Sequence, residues 1–105
     1  MNETKKLTSA VIYARGIPEA VERQLQACRD YAAQQGLTVG AEVIEYTSAN
    51  ATQTSRLQKL IEQISTHHPN FVIVTDLSRL SRKFTELSAL QQMLAERNVQ
   101  ITALA

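Results

Sequence analysis

Three arginines are the residues in this sequence whose type and spacing best suit chemistry. Arg79 and Arg82 lie three apart in the segment LSRLSR, shortly after the apolar run Phe71 to Val74. Arg15 ends an earlier apolar run, AVIYAR. A guanidinium stays charged and can donate two parallel hydrogen bonds to one phosphate. The pattern indicates a phosphate-binding site, and the alternative is surface arginines paired with acids (Asp76, Glu19 and Glu22).

Other kinds of site find little support in the sequence. His67 and His68 are adjacent before Pro69, and side chains of loop neighbours usually diverge, so we expect no metal site. Cys28 falls on the apolar side of a helix and is expected to be a core residue. Gly16 stands alone after the first apolar run, which argues against a glycine-rich phosphate or dinucleotide loop. We therefore expect no cofactor.

Composition places the chain among ordinary single-domain proteins. It has 105 residues, 44% of them hydrophobic, and a formal net charge of +1. Any contact with nucleic acid must then come from local clusters of basic residues. One cysteine fits a reducing compartment, and no segment resembles a signal peptide or a membrane span. We expect a cytoplasmic protein with no membrane partner.

Hydrophobic periodicity predicts four strands that alternate with three helices. The chain begins with an expected flexible tail, Met1 to Ser9, and the domain covers residues 10–105. Pro18 suits the start of the first helix and Gly36 its C-cap, while Thr47 to Thr54 has the composition of a mobile loop. The predicted strands are Ala10–Arg15, Leu37–Tyr46, Phe71–Thr75 and Val99–Leu104.

Each predicted helix has an apolar side at helical spacing. The alternation of strands and helices predicts an α/β fold, with a mainly parallel four-stranded sheet between helices. In such a sheet Arg15, Arg79 and Arg82 come to the same edge, the one at which ligands bind. We expect Asn98 to end the third helix, Phe84 to Arg97. The predicted inward residues are Val21, Leu25, Cys28 and Ala32, then Leu57, Leu60, Ile61 and Ile64, then Phe84, Leu87, Leu90 and Leu94.

Two motifs in this order resemble the catalytic domain of the serine site-specific recombinases, the resolvases and invertases. The first is Tyr13-Ala14-Arg15 followed by Glu22-Arg23-Gln24, and the second is Leu77 to Arg82. The resemblance covers residues 10–105 and implies a resolvase-like three-layer sandwich. It also implies a link to DNA recombination and mobile genetic elements, with DNA strands cleaved through a phosphoserine. Arg15, Arg79 and Arg82 match the arginines that hold the scissile phosphate, and Gln24 matches a glutamine of the first helix.

The sequence departs from the family at the nucleophile. The family's serine lies two residues after the first arginine, where this chain has Ile17, and the Gly16-Ile17-Pro18 segment has no hydroxyl. Isoleucine cannot attack phosphorus. The hydroxyls closest in sequence to the arginines are Ser78, where many members have aspartate, and Ser81. In the mobile loop the Ser-Gly pair is missing, and Arg56 is out of register with the usual arginine.

Three hypotheses follow from this pattern. The chain is a pseudo-enzyme of recombinase descent that binds phosphate, an active DNA-cleaving domain with an unusual nucleophile, or a non-catalytic protein-interaction module. Family members continue into a long helix and a DNA-binding domain, which this sequence does not contain, so weak DNA binding is expected. A homo-oligomer and pairing with an active recombinase are the protein partners that the resemblance implies.

Overall fold

The computed structural model describes residues 9–47 and 57–105 of the chain. Most of the predicted tail, most of the Thr47–Thr54 loop and Arg56 therefore lie outside the described residues. The predicted order of strands and helices is confirmed. The elements are β1 Ser9–Gly16, α1 Pro18–Gln35, β2 Thr38–Tyr46, α2 Gln58–His67, β3 Phe71–Val74, a 3₁₀ turn Leu77–Arg79, α3 Phe84–Glu96 and β4 Gln100–Ala103.

The four strands form one parallel sheet in the order β2-β1-β3-β4. Strand β1 is central and pairs with β2 from Ser9 to Gly16, but with β3 only from Ala10 to Ile12. The carboxyl half of β1 thus extends past its pairing with β3. A gap between two strands at the point where the strand order reverses is where open α/β sheets bind ligands.

Helices cover both faces of the sheet, as predicted for a three-layer α/β sandwich. The apolar side of α1 packs against Ala10, Ile12, Ala14 and Ile73. The other face, which carries Val11, Tyr13, Val72 and Val74, packs against Leu60 and Ile64 of α2 and Leu90 and Leu94 of α3. Alternate residues of β1 belong to opposite cores, as strand geometry requires.

The ends of α1 lie where the sequence placed them. Pro18 is the first helical residue, and Gly36 ends the helix in the left-handed conformation with φ of 71°. Its backbone N–H donates to the carbonyls of Ala32 and Ala33 in the last turn of the helix, and Leu37 N–H also donates to Ala32. The residues predicted to face inward from α1 are all buried: Val21, Leu25, Cys28 and Ala32.

Two details of α3 differ from the prediction. Phe84 is 81% exposed rather than buried, because it is the first residue of the helix and the buried contacts begin a turn later. Helical spacing carries no information on how far the sheet extends beneath a helix. Arg97, not Asn98, is the C-cap, and Asn98 follows it with φ of 62°.

Candidate functional site

The connection after β3 fixes the position of Arg79. The Asp76 carboxylate accepts a hydrogen bond from the backbone N–H of Ser78 at 2.8 Å, which starts the 3₁₀ turn Leu77–Arg79. The next residue, Leu80, is completely buried in the core beneath α3. The turn is therefore held at both ends. It presents Arg79 toward the carboxyl end of β1.

The Arg79 guanidinium reaches the main chain of β1. Its Nη1 atom lies 3.4 Å from the carbonyl oxygen of Arg15, to which it donates. Its Nε atom is buried, and among the described residues it is the one buried side-chain nitrogen or oxygen without a hydrogen-bond partner. A buried donor of this kind is costly unless an acceptor reaches it. An anion at this place would supply that acceptor.

Gln24 completes the same cluster from α1. Its Oε1 accepts from the N–H of Arg15 at 3.0 Å, and its Nε2 donates to the carbonyl of Arg15 at 2.8 Å. Gln24 is 3% exposed. The adjacent carbonyl, that of Gly16, accepts from Thr47 on the β2 side, so the peptide groups of Arg15 face the β3 side. The amide of Gln24 therefore replaces the strand that β1 lacks there.

Gly16 allows these groups to approach each other, a role that its position after the first apolar run did not indicate. Its φ is 150°, a conformation that favours glycine. A Cβ at this position would lie 3.3 Å from the Cβ of Ala20, 3.5 Å from Nε2 of Gln24 and 3.9 Å from Nη1 of Arg79. A larger residue would crowd both polar groups. A single glycine after a strand was the available signal.

Arg82 is placed differently from Arg79. The 3₁₀ turn ends at Arg79, so the two arginines do not share one helical turn, and Arg82 is exposed in the loop before α3. The pKa of Asp76 is lowered chiefly by hydrogen bonds from the backbone and side chain of Ser78 and further by the charges of Arg79 and Arg82. Both arginines therefore lie near the same carboxylate. Asp76 is exposed, so solvent screens its interaction with the charges of the two arginines.

Glu45 is a further polar residue at this edge that the sequence did not single out. It pairs with Arg15 across the β1–β2 ladder, and its Oε1 accepts from the buried hydroxyl of Tyr13 at 3.3 Å. A buried phenol normally requires such a partner. The signal was an acid at the carboxyl end of a strand. Its contact with Tyr13 depends on the strand register, which the sequence does not contain.

Hydroxyl groups near the arginines are committed to local structure. Ser81 is 4% exposed; its Oγ donates to Oε1 of Glu86 at 2.7 Å and accepts from the N–H of Lys83 at 3.0 Å. Ser78 is half-buried in the 3₁₀ turn. Ile17 is 55% exposed and is the N-cap of α1, where it makes no side-chain capping bond.

The remaining residues considered for chemistry lie elsewhere. His67 and His68 are at the end of α2, and the described residues contain no cluster of three metal-ligating side chains. Cys28 is buried against the sheet, and burial raises its pKa to about 11, with a smaller contribution from Glu42. A thiol with that pKa is protonated and unreactive at neutral pH. The structure thus brings Arg15, Gln24 and Arg79 together and leaves Arg82 nearby.

The chain belongs to the family described as "Resolvase, N terminal domain", whose model matches residues 10–105. No match was found among curated proteins. No helix within the described ranges is long and apolar enough to cross a membrane. The match shows that this is a resolvase-like serine recombinase domain, of a family associated with DNA recombination, as its motifs indicated.

Solved structures that include serine recombinase and integrase catalytic domains have the same fold. The C-terminal catalytic domain of ISC1926 TnpA, an IS607-like serine recombinase, is 27% identical with a TM-score of 0.79, over 92% of this chain and 67% of that one. The N-terminal catalytic domain of TP901-1 integrase has a TM-score of 0.80 at 22% identity, over 92% and 77%. The first ORF in transposon ISC1904 from Sulfolobus solfataricus P2 has a TM-score of 0.71 at 18% identity, over 91% and 66%. At 22% and 18% identity these likenesses concern the fold.

Proposed function

We propose that this chain is a recombinase domain that holds a DNA phosphodiester through Arg79, Arg15 and Arg82 and has no nucleophile of its own. The observation that carries the proposal is the buried Nε of Arg79, which has no partner within the described residues. A phosphate oxygen would give this donor a charge-assisted hydrogen bond. Arg15 and Arg82 would add positive charge at the same edge, where the family places its scissile phosphate.

The side chains around the arginines support the proposal that the domain has no nucleophile of its own. Ile17 occupies the position at which the family has its serine, and it offers no atom that can bond to phosphorus. Ser81 is buried and bonded to Glu86, so a large substrate could reach it only after the loop opened. Two alternatives remain. In the first, the domain is an active DNA-cleaving enzyme that uses Ser78 or Ser81 as its nucleophile. In the second, it is a protein-interaction module that does not bind DNA.

The charge balance predicts that DNA binding by this domain is weak. The net charge of the chain is +1, and Asp76 lies beside the two arginines that would hold the phosphate. Affinity for DNA depends on how many phosphates a protein neutralises. A further DNA-binding domain, a second copy, or pairing with an active recombinase would add contacts that a few arginines do not provide.

Replacement of both loop arginines tests the proposed phosphate site. The Arg79→Ala/Arg82→Ala variant should bind a short DNA duplex more weakly than the parent at low salt. If each arginine meets one phosphate, the slope of log affinity against log salt concentration should fall by about two. Fluorescence anisotropy with a labelled duplex, measured from low to physiological salt, gives both quantities.

Arg97→Ala is the matched control for this experiment. Arg97 is exposed at the opposite edge of the sheet and donates to the hydroxyl of Ser65, so its loss removes one charge without touching the site. The control should bind like the parent after correction for one exposed charge. A double variant that binds as tightly as the parent, with an unchanged salt slope, would contradict the proposal and favour the protein-interaction module.

A covalent-trapping experiment tests the absence of a nucleophile. The parent protein is incubated with a nicked suicide recombination substrate, and protein–DNA adducts are separated by denaturing electrophoresis. We expect no adduct, because the described residues place no accessible hydroxyl at the position of the family's serine. An active serine recombinase on its own substrate serves as the positive control. An adduct that maps to Ser78, Ser81 or any other residue would establish the active alternative.

A further inference from the structure

Two large apolar side chains are exposed beside the arginine cluster. Ile17 is 55% exposed and Tyr46 is 61% exposed, and Phe84 is the third large apolar residue exposed in the described part of the chain. Tyr46 is the last residue of β2 and pairs with Gly16 of β1, and Ile17 directly follows Gly16. Adjacent strands lie about 4.8 Å apart. Ile17 and Tyr46 are therefore neighbours.

Strand parity places Tyr46 on the α1 side of the sheet. Ile44 packs against the core beneath α1, and residues two apart in a strand point to the same face. Gly16 faces the same way, since a Cβ there would contact Ala20 and Gln24 of α1. Phe84 begins α3, which packs on the other face. Tyr46 is therefore on the α1 side of the sheet, and with the neighbouring Ile17 it forms an exposed apolar patch, while Phe84 lies on the other side.

This patch and Arg79 lie on either side of the end of β1, with Gly16 between them. A Cβ on Gly16 would lie 3.9 Å from Nη1 of Arg79, and Gly16 is flanked by Ile17 in sequence and by Tyr46 across the ladder. An aromatic ring and a guanidinium at the same edge of a sheet are a combination that suits single-stranded nucleic acid, with the base on the ring and the phosphate on the cation. A base pair within a duplex does not expose its face in this way.

We propose that Tyr46, supported by Ile17, stacks an unpaired base of the strand whose phosphate Arg79 holds, so that the site prefers single-stranded DNA to duplex. The proposal rests on the proposed function for the phosphate. It adds to that function the prediction that the DNA bound at the site is single-stranded. Of the exposed apolar residues, Tyr46 and Ile17 are the pair beside Arg79, which favours a nucleic-acid occupant over a purely apolar one.

Three labelled ligands of equal length test the inference: a single strand, the same strand with abasic positions, and the duplex. The parent should bind the single strand more tightly than either of the others. Tyr46→Ala should lower affinity for the single strand at least about fivefold, the low end for loss of one base–aromatic stack. The same variant should leave affinity for the abasic strand and the duplex unchanged, because both bind through phosphate alone.

Two control variants separate stacking from other effects. Tyr46→Phe keeps the ring and should bind like the parent, while Phe84→Ala removes an exposed aromatic ring from the other face and should also bind like the parent. The inference is overturned if Tyr46→Ala binds the single strand as tightly as the parent does. It is also overturned if the only effect of Tyr46→Ala is to change the self-association of the protein. The proposed function survives both results if Arg79→Ala/Arg82→Ala still weakens duplex binding. It fails with the inference if that variant binds every ligand like the parent.

Discussion

Ile17 is the N-cap of α1, a position where a side-chain oxygen normally accepts a hydrogen bond from the first turn of the helix. The side chain of Ile17 makes no such bond, and although it is large and apolar it is exposed to water. Neither helix capping nor core packing explains the residue. At the same position a serine would be a better cap, and in this family it would be the nucleophile.

We therefore expect Ile17→Ser to stabilise the protein without restoring DNA cleavage. The new hydroxyl should cap α1 and raise the free energy of unfolding by about 0.5–1 kcal/mol. The hydroxyl is drawn toward the free N–H groups of the helix, so it is not presented for attack on a phosphate. Thermal unfolding measures the first effect and covalent trapping the second.

Ile17→Ala is the control, since it removes the same exposed surface and adds no capping oxygen. It should be less stable than Ile17→Ser. Recovery of an adduct at residue 17 in the serine variant would show that the rest of the site is intact, and that a single substitution inactivated it.

At the scale of elements, α1 is attached to β1 by more than its apolar side. Gln24 binds both peptide groups of Arg15, and Arg79 donates to the carbonyl of the same residue. Helix α1, strand β1 and the turn after β3 therefore meet at one residue. Arg15, which we propose contributes to phosphate binding, is held in place through its main chain.

Gln24→Leu should destabilise the fold and weaken the site together. Leucine has a similar volume but removes the acceptor of the Arg15 N–H and one of the two donors to the Arg15 carbonyl, at a cost of about 1–3 kcal/mol. Gln26→Leu is the matched control, because Gln26 lies on the exposed side of the same helix and donates to Asp30. That variant should change the free energy of unfolding by less than about 0.5 kcal/mol. Urea unfolding compares the two, and equal stabilities would show that the contact with Arg15 is dispensable.

The sequence predicted the elements well because apolar periodicity and helix-ending residues are local signals. Gly36 and the inward side of α1 are examples. It failed at Phe84 because periodicity does not indicate where the sheet beneath a helix ends. It did not indicate the Tyr13–Glu45 bond because that contact depends on the register between β1 and β2, which shifts between Ala10 and Val11.

For the molecule as a whole, the two ends of the sheet differ in character. The arginines, the exposed patch of Ile17 and Tyr46, and Asp76 lie at the carboxyl ends of the strands. Surface cavities of about 330 and 250 Å³ lie at the amino ends instead, lined by Asn70, Phe71 and Asn98 and by Ser65, His68 and Arg97 respectively. Neither of these two cavities is lined by the arginines that we propose bind phosphate. The proposal rests instead on the carboxyl edge of the sheet, where open α/β sheets bind ligands.

The central position of β1 has a consequence for how the protein is made. Strand β1 is the first of the four strands to be synthesised, yet one of its two neighbours, β3, begins about 60 residues later, as the contact between Ser9 and Asn70 shows. Until then β1 exposes an unpaired edge. Such late, long-range parallel pairing is slow and favours aggregation of the nascent chain. The pairing of β1 with β3, at the middle of the sheet, therefore forms only after more than half of this domain has been synthesised.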